Sequence, residues 1–376
     1  MTRKVPSQPD RGVVLYRPGE RCYARSHERA THLAIAHRLA ALKGFASVEE
    51  FDPARRYDDP VYVLPSDTLI GLEAASALGI RGEHDLFGGV VPHAFVATKA
   101  ITHPLVEPDA VAPAGWSIDM GRRVENVVLP GFTAFTPEDA RLAGRRLLDR
   151  GPVRVKPVRE TGGRGQAVAR DDAELTAVLD AVDPTELSQC GLVLEEDLGD
   201  VTTFSVGQVR VGDLVATYYG TQRLTADNGG KAVYGGSDLT VWRGGFDTVL
   251  GLELPEPARL AVMQACAYDE AATACFPGFF ASRRNYDVVQ GLDSRGRRRS
   301  GVLEQSWRIG GASGAEIAAL EAFRRDPALP AVRATCVEAY GEDATPPPEA
   351  TVDFRGTDER VGFITKYTLV ERVDAG

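Results

Sequence analysis

The stretch VRVKPVRETGGRGQAV, residues 153–168, limits the choice of fold more than any other part of this chain. An apolar strand ends in Lys156, a proline follows, and a glycine-rich run comes next. Backbone N–H groups that turn outward beside a lysine mark a phosphate site. The order of the parts excludes the P-loop, which places its lysine after the glycines, in a GK(S/T) that opens a helix. A nucleotide fold of another kind is required. The lysine is informative because only six of the 43 basic residues are lysine. The arginine excess reads as a compositional bias of the genome and carries little by itself.

With 376 residues the chain has room for two or three domains and a large core. Its 43% hydrophobic and 26% charged residues are those of an ordinary globular protein. A net charge of −10 argues against a general nucleic-acid or membrane-surface binder, since either favours a basic face. It leaves room for a local cationic pocket. The polar start MTRKVPSQPDRG lacks the apolar core of a signal peptide, and no run of about 18 apolar residues is present to span a bilayer. Cys22, Cys190, Cys266, Cys275 and Cys336 are scattered and odd in number, with no CxxC pair. They are expected to be reduced thiols in a cytoplasmic protein.

Along the chain, GVVLY (12–16) reads as a buried strand and residues 26–44 as a helix capped by Ser26 and stopped by Gly44. VYVLPSD (61–67) reads as a second strand and Thr68 to Leu78 as a second helix. This alternation predicts a small α/β domain with a parallel sheet. VENVVLPGFTAF (124–135) is a strand and loop. TPEDARLAGRRLLDRG (136–151) is a well-marked helix, with Thr136 at the N-cap, Pro137 behind it and acids in the first turn. A further helix is expected over 171–182, a strand over GLVLEEDL (191–198), a hairpin over 202–223 turning at Val211 to Asp213, and a long helix from about Glu256 to Cys275. NYDVVQGLD and SGVLEQSWR form two strands joined by SRGRRR. Pro346 to Pro348 mark a break, and residues 351–373 close the chain as a hairpin.

The chemistry lies in the pair of strands over 285–311. Asp287 on one and Glu304 on the next are joined through a tight turn, and two carboxylates on neighbouring antiparallel strands can face the same side and share hard cations such as Mg²⁺. Ser306 follows two residues after Glu304 and points to the same face, because side chains alternate with period two. Arg308 continues that face. Acid, hydroxyl and guanidinium in a row suit a metal–phosphate site better than a core.

Taken in order, these pieces resemble the ATP-grasp superfamily, in a branch similar to the carboxylate–amine ligases. The match runs from about residue 61 to 311: a small α/β domain, a first lysine (Lys99), the helix over 136–151, the strand VRVKP with Lys156, the loop GGRG, the hinge strand LVLEEDL, and the metal strands NYDVV and LEQSWRIGG. The resemblance implies an α/β (α+β) fold with two α+β lobes sandwiching ATP, preceded by a small Rossmann-like α/β domain. The expected division is residues 1–95 for that domain, 96–345 for the nucleotide-binding and catalytic lobes, and 346–376 for the C-terminal hairpin segment. It implies that Lys99 and Lys156 hold the α- and β-phosphates as point charges, with the backbone N–H groups of Gly162, Gly163 and Gly165 closing over the β- and γ-phosphates. Glu195 would accept from the adenine amino group, and the backbone from Glu196 to Leu198 would read the ring edge. Asp287, Glu304 and Ser306 would hold Mg²⁺, with Mn²⁺ as the alternative. Arg308, beside the transferred phosphoryl group, and Lys156 would be the catalytic residues.

The implied activity is an ATP- and Mg²⁺-dependent C–N ligase that passes through an acylphosphate. Its partners would be small-molecule carboxylate and amine substrates, without nucleic acid or membrane, and a homodimer is left open. Two departures keep alternatives alive. Ser306 stands where the family usually has asparagine, and the acid that grips the ribose is missing at Thr203, with Asp200 as a substitute. An ATP-binding sensor with weakened turnover, or a small-molecule kinase on the same lobes, would also suit these residues. His27, His32 and His37 are spaced five apart, roughly 140° round a helix per step, so they share no face and read as packing or surface residues. SRGRRRS (294–300) reads as a solvated turn or an anion grip. The glycine-rich segment 226–238, with Lys231, reads as a plain loop or a lid.

Overall fold

The structure, a computed structural model, describes residues 11–18, 26–55, 57, 61–159 and 165–373. Near the N-terminus, three parallel strands lie in the order Ser47–Glu50, Gly12–Tyr16, Tyr62–Pro65. The helix His27–Lys43 connects the first two along the chain. Ser26 Oγ accepts from Arg29 N at 3.2 Å, and Gly44 closes the helix at φ 67°, a left-handed value that a side chain would resist. The strand Ser47–Glu50 was not expected, because SVEE is a polar edge without an apolar signal. The helix expected from Thr68 to Leu78 is cut short. Leu69–Ile70 is a strand paired with Gly89–Val91, and Gly71 at φ 91° breaks the chain before the helix Leu72–Ala77.

A second sheet, antiparallel throughout, runs Gly131–Ala134, Leu192–Glu196, Val153–Pro157, Ala167–Ala169. Helices Pro137–Leu148 and Asp172–Asp180 pack on one face through Ala140, Ala143, Leu147, Leu175 and Leu179 against Val153, Val155, Leu192 and Leu194. Alternation then turns Arg154, Lys156 and Glu195 to the other face. The short helices Ile118–Val124 and Pro184–Cys190 were not anticipated.

The largest sheet has eight antiparallel strands. Its edge-to-edge order is Arg298–Ser306, Arg283–Leu292, Gly199–Val211, Leu214–Ala226, Ala232–Arg243, Ala331–Tyr340, Gly362–Arg372, Thr351–Asp358. One face packs through Phe204, Val206, Tyr286, Val288 and Val302 against the helix Glu256–Cys275. The opposite face is partly covered by the helix Ser313–Arg325, through Val209, Tyr218, Leu239, Val241 and Val332. Val13, Ile35 and Leu39 belong to that same core, so the N-terminal sheet and helix are packed against the last sheet. The C-terminal hairpin forms as expected. It continues the large sheet through the unanticipated strand Ala331–Tyr340.

Residues 226–238 are not a long loop. Strands enter from both sides, and only Asp227–Lys231 turns, with Asn228 Nδ2 donating to the carbonyls of Val361 (2.5 Å) and Phe363 (3.0 Å). Glycine occurs in this strand because backbone passes close by. A Cβ on Gly236, at φ 133°, would stand 2.1 Å from the Cys336 carbonyl oxygen. Gly236→Val is therefore expected to cost at least about 2–3 kcal/mol of stability, read from a urea titration. Cys190, Cys266, Cys275 and Cys336 are free thiols, and Cys22 lies outside the described residues. Among those residues no helix is long and apolar enough to cross a membrane.

Candidate active site

The eight-stranded sheet meets the segment leading into the four-stranded sheet where Val302 N donates to Val127 O at 2.8 Å. A short segment, Lys99–Thr102, lies between the two sheets and is tied to both. Thr133 of the four-stranded sheet donates to Ala100 O at 2.7 Å. Gln305 of the eight-stranded sheet donates to the carbonyls of Val96 (3.0 Å) and Thr98 (2.7 Å). Gln305 points away from Glu304, so one strand anchors the lysine segment with one residue and meets its lysine with the previous one. Lys99 is 5% exposed, and its Nζ lies 2.6 Å from Glu304 Oε2.

Lys156 is 3% exposed and ion-paired to Glu195 Oε1 on the neighbouring strand. His103 Nε2 lies 3.1 Å from Glu195 Oε2. Burial pushes the Glu195 carboxyl up, but the Lys156 charge and the His103 contact outweigh it and bring the group down to about 2. Each carboxylate oxygen has a partner among the described residues. Glu195, placed by the resemblance at the adenine amino group, is the ion-pair partner of Lys156. Glu196, 5% exposed, faces Arg299 at 3.3 Å, and Leu198 joins Leu129, Val289 and Leu303 in a small apolar cluster. Gly165 has the left-handed φ of 67° that a turn over a ligand needs. Gly162 and Gly163 lie outside the described residues.

Asp287 and Glu304 are direct cross-strand partners, with a bulge just beyond them. Burial first, and the Glu304 charge second, push the Asp287 carboxyl up to about 7, although Gln222 Nε2 donates to it at 2.8 Å. Two carboxylates in such a relation call for positive charge, and Lys99 now supplies it. The donor set fits a hard divalent cation. Among the described residues, however, no three His, Cys, Asp or Glu side chains are grouped to hold a metal unaided. A cation here needs further oxygens from a ligand.

Ser306 faces Asn285 across the ladder, and its Oγ accepts from Arg283 Nη1 at 3.2 Å. Arg308 does not continue the strand face. The strand ends at Ser306, Trp307 is sunk against Phe279 with ring centroids 4.1 Å apart, and the chain bends. Arg308 Nε then lies 3.7 Å from Asp67 Oδ1. Asp200 is exposed at φ 49°, where the register of its strand shifts. His32, read from sequence as a packing residue, is held down to about 3 by burial and by the charges of Lys366 and Arg308.

A protein-family profile described as "Protein of unknown function (DUF3182)" matches residues 15–368. The chain belongs to that family. No curated protein matches it. Among solved structures, a biotin carboxylase–β,γ-ATP complex from Campylobacter jejuni is similar at 10% identity and a TM-score of 0.51, covering 96% of this chain and 87% of that one. A carboxyaminoimidazole ribonucleotide synthase from Aspergillus clavatus complexed with ATP gives 12% and 0.48, covering 97% and 94%. A phosphoribosylamine–glycine ligase from Thermotoga maritima gives 14% and 0.46, covering 97% and 93%. The likeness to biotin carboxylase shows the fold, which is ATP-grasp.

Four contributors to the site escaped the sequence reading: His103, Gln222, Arg283 and Glu316. His103 sits four residues beyond Lys99 in the same motif, so its neighbourhood was readable even though its partner was not. The other three reach the site only through strand register and helix packing.

Proposed function

We propose that this chain is an ATP-dependent ligase that joins a carboxylate to an amine. One observation carries the reading: two buried lysines from separate elements, each held on a carboxylate, converge on the region where two antiparallel sheets meet. Lys156 and Lys99 would receive the phosphates, exchanging carboxylate partners for phosphate oxygens. The backbone of Glu196 to Leu198 would meet the adenine edge, with Leu129, Leu198, Val289 and Leu303 against the ring. Asp287 and Glu304 would hold the divalent cation, which, when bound, offsets charge on the β- and γ-phosphates. Arg308 would stand beside the transferred group.

In the proposed reaction a substrate carboxylate oxygen attacks the γ-phosphorus, and the bond to ADP breaks. The amine then opens the acylphosphate and releases phosphate. The chain's own contribution is to bring two anions together and to spread the developing charge, with dipoles and cations fixed before reaction. A screen of small acids against amines, followed as ADP and phosphate, tests this. ADP with free phosphate and a coupled product is the expected result. ADP with a phosphorylated product replaces the ligase by a kinase. Tight ATP binding without turnover against any pair replaces it by a sensor.

A further inference from the structure

We infer that the site holds one divalent cation and not two, because Ser306, the third oxygen of the row, is committed to a buried arginine clamp. The inference rests on the nucleotide–cation reading above. Arg283 is 1% exposed and begins the strand that carries Asp287. Its Nε donates to both oxygens of Glu316, at 3.1 and 3.0 Å, and its Nη2 donates to Glu316 Oε1 at 2.8 Å. Its Nη1 donates to the Ser306 carbonyl (3.1 Å), the Ser306 hydroxyl (3.2 Å) and the Arg308 carbonyl (2.7 Å).

The clamp is fixed from behind as well. Glu316 is 0% exposed, comes from the helix Ser313–Arg325 and also accepts from Tyr218 OH at 2.5 Å. Asn285 donates to that hydroxyl at 3.2 Å and to Ser205 Oγ at 2.6 Å. A guanidinium has only donors, in one plane. Arg283 cannot swing off Ser306 without stranding the buried Glu316 charge. The Ser306 oxygen therefore already accepts from a fixed cationic group, and a metal ion bound to it would stand beside that positive charge.

Glu304 differs in kind. Its partner Lys99 is a point charge that can exchange a carboxylate for a phosphate oxygen, and Asp287 accepts from the neutral amide of Gln222. Two carboxylates remain for one cation, and the oxygens of a bound phosphate must complete its shell.

Manganese tests the count, as free Mn²⁺ read by electron paramagnetic resonance, with and without a non-hydrolysable ATP analogue. The expected result is one tight Mn²⁺ per chain. Ser306→Ala should bind it within about twofold of the parent, and Glu304→Gln should lose at least about tenfold. Two tight Mn²⁺ per chain, or a loss of more than about threefold in Ser306→Ala, overturns the inference. A parent chain that binds no Mn²⁺ overturns it too. A parent that binds one Mn²⁺ but no nucleotide overturns the nucleotide reading alone, and the Ser306→Ala comparison on Mn²⁺ still decides this one.

Discussion

Lys156→Met is expected to lose at least about 1.5–3 kcal/mol of ATP binding and, at neutral pH, roughly 3–5 kcal/mol of stability. The two losses have separate origins. The first is a charge-assisted contact to phosphate. The second arises because Glu195, 1% exposed, keeps only His103 among the described residues when its ammonium partner is gone. Adding Glu195→Gln removes the stranded charge, so the double variant should recover most of the stability and none of the ATP binding. The pH dependence identifies the pair. In the parent the folded-state value of Glu195, about 2, lies below its ordinary 4.5, so its contribution is complete above 4.5 and is lost as pH falls toward 2. In Lys156→Met, burial acts without the main opposing charge and raises the group instead. That variant should gain stability, relative to the parent, as pH is lowered from 7 to 5. Urea midpoints at several pH values read both slopes; parallel curves for parent and variant would break the pair.

The local grammar of the chain was legible and its long-range register was not. Ser26, Thr136, Gly44 and the prolines set helix ends by capping chemistry that acts within one turn, and those helices appear where the sequence places them. Antiparallel pairing through a tight turn brought Asp287 and Glu304 to one side, and the ladder pairs them directly. Period-two alternation carried Arg308 along the same face, but the strand stops one residue before the buried Trp307. The resemblance offered Glu195 to adenine, and nothing near Glu195 in sequence announces His103, 92 residues away. The strand Ser47–Glu50 carries no apolar pattern, and its existence depends on a neighbour to pair with. The clamp around Arg283 depends on a helix that begins after the strands of Asp287 and Glu304 and folds back across the sheet. Such contacts are products of packing, and no spacing rule contains them.

Glu304→Gln should reduce turnover by about 10²–10³-fold while changing ATP affinity less than tenfold. The glutamine keeps the shape and one oxygen, so on the proposed reading the nucleotide should still meet Lys156, Lys99 and the hinge backbone. What disappears is a full negative charge opposite Asp287, and with it most of the reason for a cation to sit where charge moves during phosphoryl transfer. The fold should survive the change for a reason visible in the site. Lys99, 5% exposed, loses the carboxylate 2.6 Å away, yet Asp287 stands directly across the ladder from that position. With the Glu304 charge gone, the largest electrostatic pressure holding the Asp287 carboxyl up to about 7 is relieved, and burial alone remains against it. Asp287 therefore ionises more readily and takes over as the counter-charge to Lys99. Asp287→Asn/Glu304→Gln removes both of the acids beside Lys99, so this double variant should lose more stability than the two single changes predict together. Melting curves of the four proteins, beside single-turnover ADP release across a Mg²⁺ titration, check both halves. Undiminished turnover in Glu304→Gln, with unchanged Mg²⁺ dependence, would take the carboxylate pair out of the chemistry.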